Sequence, residues 1–201
     1  MIKTKDLYIN LNNLDILKNY EFPILILKNI RNIIDDLIST LNKDEYEIRD
    51  DIYIHKSCKI GEGVEIHGPC IIMENTEILH NSYIRGNVII GRNSLISSSS
   101  EIKNSILIGN NQIPHFNYVG NSILGNDVHL GAGAIISNLR FDKENIKVEG
   151  EQTDLDKIGA FIGDNTEIGC NSVIAPGSVI DANSIIYPLT FYRNKKNIER
   201  L

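Results

Sequence analysis

The chain has 201 residues, of which 42% are hydrophobic and 23% charged, with a formal net charge of −6. This is a globular length for one domain and an appendage, and the lack of an overall basic field excludes non-specific nucleic-acid binding while leaving room for a local basic cluster that holds an anion. Cys58, Cys70 and Cys170 form no CxxC pair and are odd in number, and the longest apolar run, Phe22 to Leu27, is too short for a signal core or a membrane span, so a cytoplasmic protein with no membrane partner is expected.

Residues 1–50 carry a helical stripe of Ile30, Ile33, Ile34, Leu37 and Leu41 and predict a small N-terminal helical cap, a lid on the open end of the larger domain. Beyond residue 50 the pattern changes. Isoleucine stands at 54, 60, 66, 72, 78, 84, 90, 96, 102 and 108, a period of six that fits neither a helix nor a plain alternating strand. Short strands joined by fixed turns do fit it. The position four after each isoleucine is modest in size, as at Cys58, Val64, Cys70, Thr76, Ser82 and Val88, so two sites per hexad face inward and the two cysteines are packing residues. Gly, Asn and Asp between them supply the corners, and three hexads make a triangular coil of 18 residues.

The phase breaks at Pro114, resumes from Leu124, and is lost again from about Asp142 to Lys157. It returns with Ile162, Ile168, Ile174 and Ile180, which gives roughly six coils about 4.8 Å apart. The fold expected is mainly β, a parallel β-helix over 51–191 with an inserted loop at 139–157 and a basic tail at 192–201. Insertions in a solenoid mark its binding face.

Arg85 and Lys103 each follow a repeat isoleucine and lie 18 residues apart, so they stack on one face of successive coils, where two cations call for an anion. His67 continues their column one coil earlier. His115 follows Pro114, and a histidine near neutral pKa suits a general base. Lys147 and its neighbour Lys143 lie in the loop.

Residues 101–142, "EIKNSILIGNNQIPHFNYVGNSILGNDVHLGAGAIISNLRFD", carry a histidine, then Tyr-x-Gly, then GAG and an asparagine before a loop. This segment resembles the acetyltransferase domain of the bifunctional glucosamine-1-phosphate acetyltransferase and N-acetylglucosamine-1-phosphate uridylyltransferase, and more closely the archaeal sugar-1-phosphate nucleotidylyltransferases that carry that domain. The similarity extends over about residues 55–190. It implies a left-handed coil, a homotrimer and N-acylation of an amino-sugar phosphate by acetyl-CoA. It also implies His115 as catalytic base with Tyr118 and Asn138 at the reacting centre, and Arg85, Lys103, Tyr118, Asn138 and Lys147 on the sugar phosphate. His129 stands at a sugar-contacting position. The resemblance places acetyl-CoA along the later coils at Ala132 and Cys170, with the basic tail from Arg193 meeting its phosphates. Where the better-known relatives carry an aspartate and an asparagine, this chain has Asn121 and His129, which bears on the support of the base and on the sugar contacted. Residues 1–50 do not resemble the glycine-rich nucleotide loop of the other domain of those enzymes, so nucleotide transfer is not expected of this chain. No metal is expected: the fold also resembles γ-class carbonic anhydrases, but the five histidines lack their closely spaced pair. A non-catalytic module that binds a sugar phosphate or assembles with a separate nucleotidylyltransferase stays open beside the enzyme.

Overall fold

The computed structural model describes residues 1–11 and 14–194. From Ile52 to Tyr192 the chain winds into a left-handed parallel β-helix. Its three faces each carry seven parallel strands stacked coil on coil, which makes seven coils where the hexad count gave about six. Face A runs from Ile52–His55 to Ser178–Ile180, face B from Lys59–Ile60 to Ile185–Ile186, and face C from Glu65–Ile66 to Phe191–Tyr192.

The period of six arises because each hexad supplies one short strand and one corner. Ile72, Ile78, Ile84, Ile90, Ile96 and Ile102 fill a single interior cluster, and Cys70 and Val88 are buried with them. At the polar inward positions Thr76 and Ser82 are satisfied by donating to the carbonyls of Gly91 and Ser97 at 3.2 and 3.0 Å. Asparagine recurs at the corners because it tolerates the left-handed region. Asn75, Asn93 and Asn110 have φ of 57, 56 and 54°, and their amides link coil to coil.

The phase slip lies elsewhere than the isoleucine count placed it. Leu107, not Ile108, pairs with Ile90 and faces inward. The corner at Asn104 is one residue shorter than the one at Gly86–Asn87, and Asn121 makes a second short corner. Pro114 sits in regular register, since Ile113 before it pairs with Ile96.

Face A is apolar on both sides. Its outward row, Ile71, Ile89, Ile106, Ile123, Phe161 and Val179, is buried although it points away from the coil. What covers it is the N-terminal segment. Leu7, Tyr8, Leu14, Leu17, Ile26, Ile33 and Ile34 join that row in one cluster, and the helix Ile30–Thr40 lies against the second and third strands of the face. The described residues of 1–45 therefore form a strap along the flank of the coil, a correction to the lid expected on its end. The first coil is left open, with Ile60 exposed and a cleft there lined by Ile48, Ile54, Val64 and Ile66. Only one edge of that coil is closed, by the antiparallel strand Tyr46–Arg49 on Ile52–His55.

The far end of the strap is pinned by Asp164. This buried carboxylate accepts the backbone N–H groups of Ile9 and Asn126, each at 2.8 Å, and that of Asn10 at 3.3 Å, while its own N–H donates to Leu7 at 3.0 Å. Loop 139–157 folds onto the same strap. It contains an antiparallel pair, Lys147–Val148 with Glu151–Gln152, and Ile146, Val148 and Ile158 enter the strap's cluster. Among the described residues no helix is long and apolar enough to cross a membrane.

Asp164→Ala leaves three N–H groups of the seam without their acceptor, so unfolding in urea should show a loss of about 3 kcal/mol. Limited proteolysis should cut residues 1–11 well before global unfolding. An unchanged midpoint with an unchanged cleavage pattern would show that the strap holds without this carboxylate.

Candidate functional site

Coil stacking sets the predicted residues in two columns along the opposite edges of face C. Ile84 pairs with Ile102, so Arg85 and Lys103 are neighbours on the edge between faces C and A. Asn121 follows on the same edge, its N–H donating to the Lys103 carbonyl at 2.9 Å. Asn138 comes next: its amide donates to the Asn121 side chain at 2.6 Å and is hydrogen-bonded to the Tyr118 hydroxyl. Gly120 is required here, because a Cβ would come within 2.6 Å of that hydroxyl and 2.8 Å of the Asn138 amide nitrogen.

This edge gathers cations, one of them paired with a carboxylate. Arg85 donates to Glu101 at 2.8 Å and lies over the Tyr83 ring. Burial, followed by the like charges of Arg85 and Lys157, lowers the pKa of Lys103 below the usual lysine value, with Glu101 opposing. Burial raises the Tyr118 phenol and keeps it protonated. Lys157 was not singled out from the sequence. An isolated antiparallel bridge between Leu139 and Lys157 closes the base of the loop and sets this lysine toward Lys103. The sequence signal was present: Lys157 stands where the hexad resumes, opposite Asn138 at the other foot of the loop. Lys147 lies farther along the coil, its carbonyl against Gly177.

The second column runs along the edge between faces B and C. His115 occupies the fourth coil, exposed, with its Nδ1 3.3 Å from the Ser97 hydroxyl. Ala132 and Cys170 take the same position in the next two coils, since the N–H of Asn171 donates to the carbonyl of Ala132 and that of Gly133 to the carbonyl of His115. His129 is on face B, its Nδ1 2.7 Å from the Glu167 carboxylate. Arg193 follows Tyr192, the partner of Ile174, and thus lies on the C–A edge, apart from Ala132 and Cys170 within one chain. His115 and Tyr118 are three residues apart around the B–C corner, and the short strand Tyr118–Gly120 then crosses face C toward the first column. Phe116, beside His115, is exposed at φ 62°, a conformation that a bulky residue disfavours. Among the described residues no group of His, Cys, Asp and Glu side chains could hold a metal ion.

The repeat and this arrangement define a hexapeptide-repeat β-helix that resembles the acetyltransferase domains attached to sugar-1-phosphate nucleotidylyltransferases. Residues 66–158 match the family described as GMPPB C-terminal domain, and residues 159–190 match bacterial transferase hexapeptide (six repeats). A bifunctional sugar-1-phosphate nucleotidylyltransferase/acetyltransferase of Sulfurisphaera tokodaii is 37% identical over 163 residues, 77% of this chain and 41% of that protein. A bifunctional protein GlmU of Methanococcus aeolicus is 34% identical over 149 residues, 64% of this chain and 36% of its own length. The chain thus spans less than half the length of these relatives. Among solved structures, the acetyltransferase domain of PglB from Neisseria gonorrhoeae, in complex with acetyl coenzyme A, is similar at 13% identity and a TM-score of 0.31, covering 78% of this chain and 58% of that one; a likeness of that size does not bear on function.

The lowered pKa of Lys103 predicts a proton signature for an anion bound beside it. A bound phosphate offsets the repulsion from Arg85 and Lys157 and raises that pKa, so binding takes up a proton at alkaline pH and affinity falls as pH rises through the value of the free protein. Titration calorimetry with inorganic phosphate, in two buffers of different ionisation heat, should show this uptake in the wild type and its loss in Lys103→Met. Equal apparent enthalpies in both buffers across that range would refute the coupling.

Proposed function

We propose that the chain is an acetyl-CoA-dependent N-acyltransferase acting on an amino-sugar phosphate, with its active site across face C. The observation that carries the reading is the convergence of Arg85, Lys103 and Lys157 beside the Tyr118–Asn138–Asn121 chain, one short strand away from His115. The cations hold the phosphate, and Asn138 with Tyr118 orients the sugar. His115 then faces the amine. Its imidazole takes the amine proton as the nitrogen bonds to the thioester carbonyl carbon, and that proton leaves with the coenzyme thiolate when the C–S bond breaks. Ala132 and Cys170 extend the His115 column in steps of about 4.8 Å and offer a track of small side chains for the pantetheine arm. The relative named as a bifunctional sugar-1-phosphate nucleotidylyltransferase/acetyltransferase supports the same chemistry. Three free cysteines suit a reducing, cytoplasmic setting.

A cation cluster alone would serve a non-catalytic sensor equally well, and His115 distinguishes the two. Thiol release should be followed with acetyl-CoA against a panel of amino-sugar phosphates. His115→Ala should lower the turnover rate by about a hundred- to ten-thousandfold with acceptor binding retained. Lys157→Ala should raise the acceptor KM by about ten- to a hundredfold, since it removes a charge-assisted contact to phosphate. Full turnover in His115→Ala would leave the sensor reading standing and end the catalytic one.

The same site supports a homotrimer. The strap closes face A, while Phe116, Tyr187 and Leu189 project from the B–C edge, and Ile185 and Phe191 flank it on faces B and C. A neighbouring copy against that edge covers the apolar side chains and brings its own Arg193 toward Ala132 and Cys170. Light scattering at micromolar concentration should give three times the chain mass. A monomeric mass with full activity would rule out a shared site.

A further inference from the structure

The run Ser97–Ser100 is unusual for a corner, and each serine has a different task. Ser99 takes the left-handed turn position with φ 59°. The buried Ser100 hydroxyl donates to the Pro114 carbonyl at 2.5 Å and accepts the Asn117 N–H at 3.2 Å. Ser98 meets His80 Nδ1 at 3.3 Å. Ser97, 3% exposed, meets His115 Nδ1 at 3.3 Å, one coil away.

The backbone around His115 is held from both sides. Asn117 donates from its amide to the Pro114 carbonyl at 2.9 Å, the Phe116 N–H reaches Ser98 at 3.2 Å, and the His115 carbonyl accepts from Gly133 at 2.9 Å. What remains free is the rotation of the imidazole and the choice of tautomer. A histidine that accepts a proton at Nε2 must carry its other proton on Nδ1. We propose that Ser97 is the positioning residue of this site: its hydroxyl oxygen accepts the Nδ1 proton of His115, which fixes the ring plane and leaves Nε2 bare toward face C. The inference rests on His115 being the base, but the tautomer it assigns is measurable without any substrate.

Nitrogen-15 spectra of the histidine side chains, with His115 identified by its loss in His115→Ala, should show the protonated Nδ1 tautomer in the wild type. In Ser97→Ala the two tautomers should redistribute. The turnover rate for acyl transfer should fall by about tenfold, the worth of one hydrogen bond, with the acceptor KM unchanged, and Ser97→Thr, which keeps the hydroxyl, should restore both readings. A purely structural serine would lower the melting temperature and leave the tautomer as it was. The proposal is overturned if wild-type His115 carries its proton on Nε2, or if Ser97→Ala leaves the tautomer ratio and the turnover rate unchanged. If the wild type transfers no acyl group to any acceptor while the Nδ1 tautomer is present and depends on Ser97, the acyltransferase reading fails and the positioning stands.

Discussion

Much of this protein depends on one constraint: face A carries large apolar side chains on its outer as well as its inner surface. A solenoid face with Ile71, Ile89, Ile106, Ile123 and Phe161 pointing outward cannot stay in water. The described residues of 1–45 meet that requirement by burying their own leucines and isoleucines against the row, in a segment made of short helices. Its helices are short, and the longest, Ile30–Thr40, has 11 residues, near the lower limit at which a helix holds without tertiary contacts.

The strap in turn determines the site. Ile146 and Val148 of the inserted loop, with Ile158 just after it, pack into the strap's cluster, and the loop leaves the coil at Asn138 and returns at Lys157. Those feet supply the amide and the third cation beside Lys103. The strap is therefore linked to Asn138 and Lys157 of the candidate site through shared apolar packing. It also removes one of three faces from the surface, while the B–C edge keeps exposed aromatic and aliphatic side chains.

The two columns illustrate how a repeat builds chemistry. Each coil offers the same six backbone positions, so a site is made by choosing side chains at one corner position in successive coils. Arg85 and Lys103, with Gly120 after them, are one such choice, and His115, Ala132 and Cys170 another. The shortened corners at Asn104 and Asn121 lie on the C–A edge directly after Lys103 and Gly120, and Gly120 leaves the space in which the Tyr118 hydroxyl meets Asn138. Local irregularities in the repeat coincide with the cation cluster.

The coil and the stacking of its candidate site residues were readable in the sequence because side-chain alternation and corner chemistry repeat every six residues: the isoleucine column, the buried fourth position, and the stacking of Arg85 on Lys103 are all local consequences of that period. A paired apolar signal was also there, in Ile71–Ile72, Ile89–Ile90, Ile106–Leu107 and Phe161–Ile162 once per coil, and it marks a face covered on both sides. Counting isoleucines alone hid it and misplaced the phase slip, because Ile108 continues the count while Leu107 takes the inward place. Which segment covers face A, where loop 139–157 returns, that Lys157 rather than Lys147 faces Lys103, and which serine meets His115 were decided only in the tertiary structure. Each depends on contacts between residues far apart in the chain, and a period of six carries no information about partners outside the repeat.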